Sequence, residues 1–172
     1  MPDSKQLAIL KAITTHLAGM TIAGGYGYDL SGRVFRGRAV YGDEMPLPSV
    51  SILEAPRPDE SPRPYGPERA RRVEDWVLLV QGWVQDDKVN PTDPAYDLKA
   101  WVEQRMAEIV AIDDRNGRPL YPSAYRLGGL IAEMSIGPGV VSPPRQNVSA
   151  KAFFYLPVVV KAAFTPLAPF VS

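Results

Sequence analysis

The sequence predicts an α+β fold: a mainly antiparallel β-sheet with two α-helices packed on one face and a long Pro/Arg-rich loop or hairpin arm. Three observations lead there. Apolar residues recur at helical spacing in two separated windows. Runs rich in β-branched and aromatic residues, bounded by Gly, Pro and Asp, lie between and after them. A proline-dense stretch in the middle fits neither pattern. With 172 residues and 45% apolar content the chain is long enough to bury one core, and residues 1–172 read as a single domain.

The first helix is written in Leu7, Leu10, Ile13, Thr14 and Leu17, with Ala8 and Ala12 filling in. Asp3 or Ser4 can cap its start, and Gly19 stands where it should stop. Gly24, Gly25 and Gly27 then break regular structure. Arg33 to Tyr41 and Pro48 to Leu53 read as two strands of a hairpin turned at Gly42-Asp43-Glu44. From Pro56 to Arg72 the texture changes, with prolines at 56, 58, 62, 64 and 67. Proline has no backbone N–H to give a ladder and favours extended polyproline conformation, so 56–72 is expected to be an exposed arm.

Glu74 to Gln85 (EDWVLLVQGWVQ) is the strongest strand, apolar on both faces and therefore expected at the centre of the sheet. Asp93 and Pro94 open a second helix, whose stripe is Leu98, Trp101, Val102, Met106, Ile109 and Val110. Lys99, Glu103, Arg105 and Glu108 are expected to face water. Two last strands are read over Leu127–Ile136 and Ala150–Lys161, and residues 162–172 as an extended C-terminal tail.

Several chemistries are excluded or disfavoured. There is no cysteine, hence no disulfide, thiolate nucleophile or cysteine-bound zinc. Nineteen Lys+Arg balance nineteen Asp+Glu, which speaks against a free-standing nucleic-acid binder. The opening MPDSKQLAIL carries an acid and only a short apolar run, unlike a secretory leader. No stretch reaches the roughly 20 apolar residues that span a bilayer. The chain reads as soluble and made in a cytoplasm, with no membrane partner.

No catalytic constellation emerges. His16 is the only histidine, and at a helix C-terminus a partly charged imidazole is simply favourable. The acidic pairs Asp43-Glu44, Asp59-Glu60, Asp86-Asp87 and Asp113-Asp114 sit in turn-like sequence, where Asp is favoured for local hydrogen bonding. GGYGYDLSG lacks the GK[ST] ending of a phosphate loop. No cofactor and no metal is expected.

Contact surfaces are the better reading. Arg33, Arg36 and Arg38 flank a strand, and Arg69, Arg71 and Arg72 stand where the arm rejoins the sheet. Arginine makes planar, bidentate contacts with carboxylates, and Tyr26, Tyr28, Tyr41 and Tyr65 keep it company. The alternative is an ordinary solvated face with weak ion pairs. Asp86 and Asp87 or Asp113 and Asp114 on a neighbouring copy would meet these arginines. Trp83 shares a strand face with Val77, Leu79 and Gln81. If helices cover only the other side of the sheet, that face needs a partner, and oligomerisation is the common answer.

KQLAILKAITTHLAGM, GYGYDLSGRVFRGR, MPLPSVSILEAP, the Pro/Arg-rich insert, WVLLVQGWVQDD and DPAYDLKAWVEQRM together resemble a tail terminator (tail completion) protein of long-tailed bacteriophages. The likeness is one of element order and texture, from about Lys5 to Lys161. It implies helices packed on a sheet, and a homohexameric ring in the virion neck that caps the tail tube and stops its polymerisation. It also implies contacts with tube and head–tail connector proteins, DNA passing through the lumen without specific binding, and no catalytic residues. A head–tail adaptor or stopper would share these features. From another class, a small hydrolase or ligand-binding domain using Asp86, Asp87 and the tyrosines stays open.

Overall fold

The computed structural model describes residues 1–42, 44–55 and 72–171. The expected arm therefore lies outside the described residues except for Arg72, and Tyr65, Arg69 and Arg71 lie outside with it. Helix α1 spans Lys5–Ala18. Ser4 caps it, its hydroxyl accepting from the Leu7 amide at 3.3 Å, and the Gly19 amide donates back into the last turn. Its buried stripe is Ile9, Ile13 and Leu17, spaced i, i+4, i+8. Leu7, which the sequence pattern puts on the apolar face, is exposed.

Strand β1 (Val34–Arg36) pairs with β2 (Ser49–Glu54), and β2 with β3 (Arg72–Trp83). Helix α2 (Asp93–Ala107) follows, with Thr92 rather than Asp93 at the capping position and Pro94 in the first turn. Strands β4 (Glu133–Ile136) and β5 (Val140–Ser142) both pair with β6 (Phe153–Phe164), giving the order β1-β2-β3-β6-β4. The sheet is mainly antiparallel, and β3 and β6 form its centre, paired along their full length from Arg72↔Phe164 to Trp83↔Phe153.

Three sequence-based expectations are corrected here. β1 and β2 run parallel, with Val34 opposite Val50, so they are not a hairpin. A parallel pair needs a long connection, and residues 37–48 supply it. The turn chemistry at Gly42 is real, with the Met45 amide on its carbonyl at 2.8 Å, but it lies inside a longer excursion. Next, Leu127–Ile136 is a strand only from Glu133. Upstream, the helical turn Arg126–Gly129 holds Leu127 (φ 51°, ψ 44°) and Gly128 (φ 68°) in left-handed dihedrals that no strand can contain. Last, the tail starts later than expected, since β6 runs through Phe164. Beyond it the chain returns to the start of α1, where the Lys5 amide donates to the Pro169 carbonyl and the Val171 amide to that of Asp3.

Period-two alternation sorts the strands onto two faces. One face, carrying Val50, Ile52, Trp76, Leu78, Val80, Phe154, Leu156, Val158 and Val160, is buried with Ile9, Ile13 and Leu17 of α1 and Leu98, Val102 and Met106 of α2. This is the main core. Gly82 lies on the same face, directly across from Phe154. A methyl group built on Gly82 overlaps the Phe154 ring, so the strand tolerates glycine only. We expect Gly82→Ala to cost about 1–3 kcal/mol through overpacking. A scanning-calorimetry midpoint lowered by roughly 2–4 °C per kcal/mol would verify it.

Candidate interaction surface

The opposite face of the sheet carries Leu53 from β2, Val73, Asp75, Val77, Leu79, Gln81 and Trp83 from β3, and Tyr155, Pro157, Val159 and Lys161 from β6, as the register dictates. No described helix packs there. One end is closed: Met45, Trp83 and Phe153 form a second buried cluster, with Phe35, Tyr41, Leu47 and Tyr155 packed around it. The chain between β1 and β2 thus folds over the sheet and covers the Trp83 end. Beyond it the face opens, with Val77 38% and Val73 60% exposed and Leu79, Pro157 and Val159 half-buried.

Trp83 is accordingly not a waiting contact residue. It is fully buried, with the Tyr41 ring 6.4 Å from its own, and corrects the expectation that it lies on the uncovered part of the face. Its indole Nε1 and that of Trp76 are buried with no hydrogen-bond partner among the described residues. Sequence alternation identified the face correctly but could not show that the loop after β1 returns to cover one end.

The three arginines in and beside β1 part company. The Arg33 guanidinium braces the loop by donating from Nη1 to the Leu47 carbonyl. Arg36, exposed, turns to the helix side and donates to Thr14 Oγ1 at 3.0 Å. Arg38, also exposed, lies 4.2 Å over the Phe35 ring, and its amide donates to Ser51 Oγ. Since Phe35 and Ser51 face away from the helices, Arg38 stands at the rim of the open face. At the other edge Lys161 pairs with Glu133 at 3.0 Å, next to Asp75. An apolar strip between a cationic rim and a mixed-charge rim is the result.

The remaining candidates among the described residues have local partners. Arg72 pairs with Glu74. Asp86, half-buried, accepts from the Ala152 amide at 2.7 Å and ties the end of β3 to the start of β6. Asp87 is exposed and accepts from the Val89 and Asn90 amides, both at 2.7 Å. Those two bonds, Asn90 first, hold its carboxyl below the usual carboxylate range. Asp113 likewise caps its own turn through the Arg115 amide. The turn reading of these acids suits the geometry better than a role opposite arginines.

A charged cluster that the sequence pattern did not foresee lies on the helix side. Glu108, expected in water, is 5% exposed. Its Oε2 accepts from Arg105 Nη1 at 2.6 Å and its Oε1 from the Tyr26 hydroxyl at 2.8 Å, while Arg105 Nη1 also reaches Tyr26 at 3.0 Å. His16 joins through its backbone, whose carbonyl accepts from Arg105 Nε at 2.9 Å. Burial pushes its imidazole below the ordinary histidine value, opposite to the charged, dipole-favoured imidazole the sequence suggested. The one sequence signal was the i,i+3 pairing of Arg105 and Glu108 beyond a stripe of core residues.

Among the described residues no group of three or more His, Cys, Asp or Glu side chains is placed to hold a metal ion. No described helix is long and apolar enough to cross a membrane. No protein-family model and no curated sequence matches the chain. We expect Trp83→Ala to destabilise the isolated chain by about 3–5 kcal/mol, as loss of a buried aromatic does. Urea denaturation of a dilute, monomeric sample distinguishes this from a loss of assembly alone.

Proposed function

We propose that this chain is a structural virion protein of a long-tailed bacteriophage, a tail terminator whose copies close into a hexameric ring on the end of the tail tube. The observation that carries the reading is the sheet face beyond Trp83, where Val73 and Val77 are exposed and Leu79, Pro157 and Val159 half-buried, with no helix over them among the described residues. A half-covered apolar sheet with arginine at its rim has the composition of a protein contact surface. Two main helices on a mainly antiparallel sheet agree with what the sequence resemblance implies, as does a balanced charge that gives no general affinity for DNA.

In this reading each protomer offers one patch to a different patch of its neighbour, the heterologous contact that a closed cyclic ring requires. Arg36 and Arg38 are exposed and have no carboxylate partner among the described residues, so they are the cations available to such a contact. The ring would stop addition of tube protein and present a surface to the head–tail connector, with DNA passing through its lumen. No catalytic step is assigned.

Negative-stain images and light scattering of the purified protein test the reading, with tube protein added in a second arm. Rings that arrest tube growth are expected. A monomer at high concentration, indifferent to tube protein, overturns it. Val77→Glu combined with Arg38→Glu should abolish assembly while lowering monomer stability by about 1 kcal/mol or less, because Val77 lies on the partly open face and Arg38 is exposed.

A further inference from the structure

We propose that the cluster of His16, Tyr26, Arg105 and Glu108 is an acid-sensitive clasp, which holds the segment leading into β1 against α2 and loosens when the imidazole takes up a proton. Three parts of the chain meet there. His16 is in the last turn of α1, Tyr26 is in the segment between α1 and β1, and Arg105 and Glu108 stand at the end of α2. The Tyr26 ring packs edge-on to Trp101 of α2 at 5.9 Å, with the Arg105 guanidinium 5.4 Å from its centre. Gly27 lies so close to the Trp101 indole that a methyl group there would overlap it. The segment is thus seated on α2 by an aromatic contact, a charged knot and the Tyr28 hydroxyl, which donates to the Pro94 carbonyl at 3.2 Å.

The hydrogen bonds decide where a proton can go. His16 Nε2 is 2.6 Å from the Arg105 carbonyl oxygen, which only accepts, so Nε2 carries the hydrogen of the neutral ring. A further proton must bind Nδ1 and make the ring a cation. The ionisable groups around it are Arg105 and Glu108 from α2 and its end, and Tyr26 from the segment. Glu108, whose Oε2 is 3.7 Å from His16 Nε2, is the one carboxylate among them, and both of its oxygens are already taken. Protonation therefore places two half-buried cations against a single engaged anion. Relief comes by loosening the knot that Tyr26 shares, after which the Tyr28 hydroxyl, donating to the Pro94 carbonyl at 3.2 Å, and the Trp101 contact still tether the segment to α2.

The sign follows from linkage. The folded state binds its histidine proton less readily than the unfolded chain does, burial being the main cause. The stabilisation is complete above the unfolded value, about 6.5, and is lost as pH falls below it. Within that window the unfolding equilibrium constant should rise by up to about tenfold per pH unit.

The chain has one histidine, so the imidazole titration belongs to His16 alone. NMR of the intact protein should give an imidazole midpoint below 6.5, with the Tyr26 amide and Trp101 indole N–H signals moving at the same midpoint. Calorimetry should show a thermal midpoint falling between pH 7.5 and 5.5. His16→Gln, which can still donate to the Arg105 carbonyl but gains no proton, should be flat across that interval. An imidazole midpoint at or above 6.5, silent Tyr26 and Trp101 signals, or an equal loss of stability in His16→Gln overturns the clasp. Should the variant not fold, the wild-type titration decides. The clasp does not rest on the ring reading, and a monomeric protein would test it equally well.

Discussion

The pairing of β3 with β6 along the whole of both strands is the constraint from which the rest of the molecule follows. Because side chains alternate strictly, one register sets the face of every residue in both strands at once, and a slip by one would exchange the faces. Trp76, Leu78 and Val80 from one strand and Phe154, Leu156, Val158 and Val160 from the other then form a single apolar layer. The apolar stripes of two amphipathic helices pack on that layer. The register also puts Gly82 against Phe154, where any side chain on β3 would push the strands apart.

The same register produces the unfinished side. Val73, Val77, Leu79, Pro157 and Val159 are carried to the far face with no described helix to meet them, and among the described residues the cover lies at the Trp83 end. That cover comes from the parallel β1–β2 pairing. A tight hairpin would have left residues 37–48 short and confined to the edge. The parallel arrangement obliges them to travel, and they bring Tyr41, Met45 and Leu47 onto Trp83 and Phe153. The arginines near β1 are divided by the same geometry, Arg36 to the helix side and Arg38 to the open rim.

On the helix side, polar order is maintained at a buried site. Burying Glu108 and Arg105 is tolerable because each finds charged or hydroxyl partners at hydrogen-bond distance. Their contacts reach three separate parts of the chain, so the cluster fixes the relative placement of the helix ends and of the strand lead-in. A hydrophobic contact would bring the elements together but would not specify their orientation as narrowly.

The sequence by itself determined what depends on neighbours along the chain. The cap at Ser4, the existence of both helices, the centrality of the Trp76–Trp83 strand and the turn roles of Asp87 and Asp113 are local properties of propensity, period and capping chemistry. Tertiary structure decided what depends on the return of distant segments. It made β1 and β2 parallel, buried Trp83, turned Ile9 rather than Leu7 inward and drew Glu108 out of water toward Tyr26. The physical reason is that periodicity names an apolar or polar side chain without naming its partner. Burial is a property of pairs, and those pairs lie far apart in the chain.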